Sequence, residues 1–250
     1  MPTNLQWEER SICDHYCWRT EERFVVHESL LTFYSEFFRA ALTGKSKEAN
    51  EKTVEIENNA QTFEFFVFWL YHQQRFPDED CGDDPDFVAK WQGEEEPEYH
   101  IVVDHLVKLY VLGDRYNIPR LRKAVIGEIF DHSYLGDGDS AGRCTVRYAF
   151  EWLRPKSPLC RLLVDLACDM AIKVEYDPED EDNKQASDAW PHEYLLHTTY
   201  RFMEILGKVR YFGKDWEDFD LKLCDYHEHE SDEEKAACKA EQDQKRKQEK

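Results

Sequence analysis

Between Phe63 and Tyr71 the sequence reads Phe-Glu-Phe-Phe-Val-Phe-Trp-Leu-Tyr, with Glu64 as its one charged residue. Phe63, Phe66, Val67, Leu70 and Tyr71 recur at steps of three and four, and Phe65, Phe68 and Trp69 widen that stripe. A helix apolar over so much of its circumference belongs inside a domain, with neighbours on several sides. The 250-residue chain is long enough to supply them, as one large domain or as a domain with a helical extension. Aromatic residues make up 14% of it, so disorder along its whole length is excluded.

Upstream of that helix the apolar period changes twice. Phe24-Val25-Val26 is a short β-type run, and from Glu28 the residues Leu30, Leu31, Tyr34, Phe37, Phe38, Ala41 and Leu42 follow a helical period that Gly44 ends. Val54 and Ile56 then alternate with Glu55 and Glu57, which predicts a half-buried strand, and Asn58-Asn59 offers cap chemistry. Residues 78–98 hold ten acids against Lys90 alone and read as a solvated acidic loop with one short helix at Phe87–Trp91. Val102, Val103, Leu106, Leu109 and Tyr110 predict a further helix. Asn117-Ile118-Pro119 makes a turn, and Leu121, Val125, Ile129 and Phe130 complete an αα-hairpin.

Past the Gly136-Asp137-Gly138-Asp139 loop, three helical patterns cover about 144–153, 158–174 and 191–212, with an acidic linker at Glu175–Asp182. Residues 225–250 are charged and are expected as a frayed tail. Residues 1–23 show neither period.

Charge narrows the partners. Lys plus Arg is 32 and Asp plus Glu is 53, a net charge of -21, which repels phosphate backbones and anionic lipid. Nucleic acid and membrane are therefore disfavoured. Lys245-Arg246-Lys247 is the only basic run, and a solvated tail accounts for it. No apolar run is long enough to span a bilayer, and Met1-Pro2-Thr3-Asn4 does not open a secretory leader. The expected location is cytoplasmic or nuclear. The eight cysteines are too scattered for a secreted disulfide scaffold and are expected as thiols.

The ordered blocks resemble the BTB/POZ family. Phe24-Val25-Val26-His27-Glu28-Ser29-Leu30-Leu31 is similar to its F-x-V-H-x-x-L, and Ser35-Glu36-Phe37-Phe38 to its S-x-F-F. Phe63 through Tyr71 resembles its F…WLY helix, and Leu109 through Leu121 its closing block. The resemblance covers residues 24–133, and the blocks at Thr145–Ala149, Ser157–Asp165 and Cys224–His229 look like the tail of short fungal members. It implies an α+β fold, with a small mixed sheet flanked by helices over 24–133 and a helical extension over 144–224. His27, Leu31, Ser35, Phe37, Phe38, Trp69, Tyr71 and Tyr116 would be its fold-signature positions. One departure stands out: Cys13 to Thr20 lacks the alternation and hairpin glycine of the family's opening strand, which puts the first hairpin and self-association in question.

The resemblance implies a protein-protein interaction module that binds itself or another protein, and not an enzyme. Many relatives recruit a cullin of a ubiquitin ligase through a hydrophobic-x-Glu element, acting as substrate adaptors. Ser46-Lys47-Glu48 occupies that position with a polar residue where the apolar anchor should sit. Losing a buried apolar anchor costs about 1.5–3 kcal/mol, roughly a tenfold to hundredfold weakening.

No glycine-rich nucleotide loop, nucleophile elbow or H-E-x-x-H helix is present, and no cofactor is indicated. His27 reads as a fold residue without a catalytic partner. The second reading is a zinc-binding or nucleic-acid-directed regulator using Cys224-x2-His227-x-His229-x8-Cys238. Against it, on a helix the two histidines would point about 200° apart, and the segment is acidic, so no metal is assigned from sequence. Cys13-x3-Cys17 is weaker still.

Overall fold

The computed structural model describes residues 22–93, 99–135, 141–173, 190–212, 221–229 and 231–248. Three short helices come first: α1 (Glu28–Tyr34), α2 (Glu36–Thr43) and α3 (Lys47–Glu51). Next come α4 (Ala60–Tyr71), α5 (Pro85–Gln92), α6 (Tyr99–Arg115) and α7 (Pro119–Phe130). The remainder is α8 (Arg143–Trp152), α9 (Pro158–Lys173), α10 (His192–Phe212) and α11 (Asp232–Gln248), with a 3-10 turn at Leu223–Asp225.

The α6–α7 hairpin is the centre of the molecule. Leu106, Leu109, Leu112, Leu121, Val125 and Ile129 are wholly buried. Asn117 takes a left-handed conformation (φ 48°), which its short polar side chain tolerates, and Pro119 opens α7 where its missing N–H costs nothing. Gly113 permits the close approach: a methyl there would lie 3.1 Å from Arg122 Cγ and 3.5 Å from the Ile118 carbonyl oxygen. Arg122 in turn reaches from the Gly113 carbonyl (3.2 Å) to the Glu228 carboxylate (2.7 Å).

Helices α4 and α5 pack on α6, α8 and α9 cover the hairpin from the other side, and α10 lies on α9. Asn59 caps α4 by accepting from the Gln61 and Thr62 amides, and Asp84 caps α5 through Asp86 and Phe87. One apolar core runs without a break from Phe38 to Tyr226.

The expected mixed sheet is not there. Among the described residues no strand forms, and the architecture is helical throughout. Phe24–Val26 and Val54–Ile56 are non-helical and show the expected alternation: Phe24, Val26, Val54 and Ile56 are half-buried, and Val25 and Glu55 are exposed. Alternation fixes which side chains face the core. A sheet needs in addition a neighbouring strand whose amides and carbonyls are free to pair. Here helical side chains bond the backbone just beyond each run. The His27 amide donates to the Tyr71 hydroxyl (3.0 Å), the Glu57 carbonyl accepts from Arg115, and Phe24 packs edge-on to Phe63 (5.0 Å between centroids). The segment expected to supply the opening strand, residues 13–20, lies outside the described residues, as do Cys13, Cys17, Gly136–Asp139 and Glu175–Asp182.

A further difference has a local cause. The helical period over Leu30–Leu42 is broken at Ser35, whose extended backbone (φ −130°, ψ 123°) ends α1 and caps α2. The charged segment from Ser231, read from sequence as a frayed helix, is helical over Asp232–Gln248. Cys81, Cys160, Cys168, Cys224 and Cys238 are thiols, whereas Cys144 is disulfide-bonded, against the expectation of thiols throughout.

Candidate functional site

The residues singled out from sequence fall into four places. At the first, His27 Nδ1 lies 2.6 Å from the Tyr71 hydroxyl, which also accepts from the His27 amide. Tyr71 thereby ties the end of α4 to the start of α1. The pair is exposed, and no carboxylate or nucleophile is bonded to the imidazole among the described residues.

The second place is buried. Ser35 Oγ donates to the Tyr116 carbonyl (2.6 Å) and accepts from the Phe38 amide (3.1 Å). Phe38 stacks on Tyr116 at 5.5 Å between centroids, and Phe37 meets the same ring edge-on at 5.2 Å. Trp69 is fully buried against Tyr34 (5.2 Å), and Leu31 is half-buried on the same core. Sequence reasoning gives Tyr34 only as part of the helical stripe and misses Arg120, whose guanidinium lies 5.2 Å from the Phe33 ring centre and 5.7 Å from that of Tyr34.

The third place is α3. Ser46 is its N-cap: the hydroxyl accepts from the Ala49 amide (3.2 Å) and donates to the Ala41 carbonyl (3.1 Å). Lys47 and Glu48 are exposed. A hydrogen bond from its own backbone amide, and then the Ser46 hydroxyl, hold the Glu48 carboxyl below its usual range. None of these three side chains is an apolar anchor.

Residues 3–84 match the BTB/POZ domain. No curated protein and no solved structure matches the chain. The BTB/POZ match takes in α1 to α4 and ends at the start of α5, so the hairpin that buries α4 lies beyond it. Within the matched stretch Val25 is 89% exposed and Phe33 61%, with Phe37 and Tyr71 also open to solvent. The acidic segment after α4 is held by Arg75, which grips the Asp83 carboxylate and lowers it to about 2. Outside the match, α10 turns Leu195, Tyr200, Met203, Leu206 and Tyr211 to solvent while burying Tyr194 and Ile205.

A fourth constellation gathers at the C-terminal end. Cys224 Sγ lies 3.2 Å from His229 Nε2, and Cys238 Sγ lies 3.2 Å from His227 Nδ1. The donor atoms of Cys224, His229 and Cys238 all fall within 4.8 Å of one another. His227 and His229 sit in irregular backbone between the 3-10 turn and α11, so the helical geometry that would have separated them does not apply. Gln242 links the two cysteines: its Oε1 accepts from the Cys224 amide (3.2 Å) and its Nε2 donates to Cys238 Sγ (3.3 Å). By contrast, Cys160 and Cys168 are core thiols that burial pushes up to about 11 and about 12, out of reach of thiolate chemistry.

Proposed function

We propose that the chain works through its surface, as a protein-interaction module that binds a second copy of itself or another protein, and not by catalysis. The observation that carries this is the exposed set Val25, Phe33 and Phe37 inside a stretch matching BTB/POZ domains, which are protein-protein interaction modules. Large apolar side chains at a folded surface favour association, because burying each one in an interface removes its area from water. The open apolar face of α10 would serve as a second surface. With a net charge of -21, protein is a better partner than nucleic acid or lipid. The blocks at Thr145–Ala149 and Ser157–Asp165 support the short fungal type, acting in the cytoplasm or nucleus.

An adaptor role in a cullin ubiquitin ligase would run through Ser46-Lys47-Glu48. Glu48 is exposed for it, but the hydroxyl of Ser46 caps α3 and offers no apolar contact. A cullin bound by this element would be held by Glu48 alone.

Light scattering of the full chain across a concentration series, beside affinity capture on wild type and Phe33→Glu, tests the reading. We expect dimers, or a captured protein, that the Phe33→Glu chain loses while its far-ultraviolet circular dichroism is unchanged. A wild type that stays monomeric and captures no more than Phe33→Glu does would sink the proposal. Glu48→Ala in the same capture separates a cullin from other partners.

A further inference from the structure

We infer that Cys224, His227, His229 and Cys238 form a closed structural site for one zinc-class divalent ion, whose work is to pin α11 to the body of the molecule. This inference stands independently of the interaction reading.

The donor chemistry comes first. Two thiols and two imidazoles are a full tetrahedral set for zinc. With Zn–S near 2.3 Å and Zn–N near 2.05 Å, adjacent sulfur and nitrogen ligands should stand about 3.6 Å apart. Both sulfur–nitrogen pairs here are at 3.2 Å, already within a few tenths of an ångström of that spacing. The sulfurs come from two separate elements, the 3-10 turn and α11, and the imidazoles from the loop between them. Three of these donors, Cys224, His229 and Cys238, already lie within 4.8 Å of one another, and His227 stands beside Cys238 as the fourth ligand that closes the set.

The surroundings are those of a ligand shell. Gln242 offers an N–H to Cys238 Sγ, as the groups around a thiolate ligand do. His229 Nε2 faces Cys224, while its Nδ1 is buried without a hydrogen bond and lies 3.8 Å from the Glu234 carboxylate, the usual outer partner of a ligating imidazole. His227 Nε2 is likewise buried without a hydrogen bond.

The helix itself supplies the reason for an ion. Among the described side chains of α11 only Cys238 is buried, with Glu234 and Gln242 half-buried at four-residue steps on either side. That single stripe faces the cluster, and its one core residue is the Cys238 thiol. A seventeen-residue helix whose apolar residues apart from Cys238 are three exposed alanines, Ala236, Ala237 and Ala240, is marginal by itself and has no broad hydrophobic face with which to dock. Its ion pair with the body, Lys123 to Glu234 at 3.0 Å, is half-exposed and of the kind that contributes little. Coordination supplies the missing attachment. As the ion binds, both thiols lose their protons to solvent, so affinity rises with pH.

The test uses the full chain, purified with a non-thiol reductant, stripped of metal and titrated with zinc or cobalt(II). One ion per chain is expected. Cobalt should give the d–d bands of a tetrahedral centre, with thiolate charge transfer that falls by half in Cys238→Ser and is unchanged in Cys81→Ser. Gln242→Ala should bind the same number of ions about 10- to 100-fold more weakly. Chelation should expose residues 231–248 to protease while the remaining helices keep their circular dichroism. A wild type that is folded by circular dichroism yet retains no ion and shows no cobalt bands overturns the inference. A Cys224–Cys238 disulfide in non-reduced peptide masses overturns it equally.

Discussion

Ser35 does with one hydroxyl what usually takes two residues. It caps α2 and holds the Tyr116 carbonyl, closing the α6–α7 turn onto the first helices. Ser35→Ala leaves a buried amide and a buried carbonyl unpaired together, and we expect a loss of about 2–4 kcal/mol in urea unfolding. His105 makes a second prediction at this scale. It packs against Phe65 and Trp91 (4.8 and 5.5 Å between centroids), and burial lowers its imidazole to about 4. The unfolded chain therefore takes up a proton on this side chain between about pH 6.5 and 4 that the folded chain refuses. Its contribution is complete above that window and is lost as pH falls through it, at most about 3 kcal/mol. His105→Phe should flatten that part of the stability profile, read as urea midpoints at pH 7 and pH 4.5. An unchanged difference between the two pH values would place the acid sensitivity elsewhere.

At the scale of elements, Asp165 on α9 joins three pieces that are far apart in sequence. It accepts from Arg201 of α10 and from the Tyr226 hydroxyl (2.6 Å), and burial together with that carboxylate raises the phenol well above its ordinary range. Asp165→Ala strands the Tyr226 hydroxyl and leaves Arg201 with Glu204. We expect a cost of about 2–4 kcal/mol and hydrogen exchange that quickens first in α10 and residues 221–229.

The helices themselves were legible because their signals are local: the stripe of α4, Asn59 before it, Pro119 at the start of α7, and Pro158 before Leu162 and Leu166. The sheet was misjudged because pairing is not local. Val54-Glu55-Ile56 states an orientation and says nothing of whether Arg115 will take the Glu57 carbonyl. The break at Ser35 had a readable sign, a serine cap before Glu36, masked by an apolar period that continues across it. The Cys/His spacing was visible too, but assigning it to a helix set its histidines apart, and only the fold shows that Tyr226–His229 is irregular.

The whole molecule has one core, and this limits how it can be divided. Trp69 and Phe66 on α4 are covered by α6, which lies outside the BTB/POZ match. A fragment ending at residue 84 bares that face, and one ending at 133 bares the side of the hairpin now under α8 and α9. We expect both fragments to be insoluble or to bind a hydrophobic dye strongly, whereas a chain ending at 229 keeps the core and stays soluble. Cooperative melting of the 1–84 fragment as a monomer would contradict this.

Arg122 shows how far such unity extends. Its head rests between the Gly113 carbonyl and Glu228, one residue from each histidine of the terminal cluster, while its stem fills the space a methyl on Gly113 would claim. Crowding the tightest crossing in the centre would therefore lever this arm outward and loosen its hold at the far end. A disturbance at the pivot of the hairpin would be felt first by the last segment of the chain.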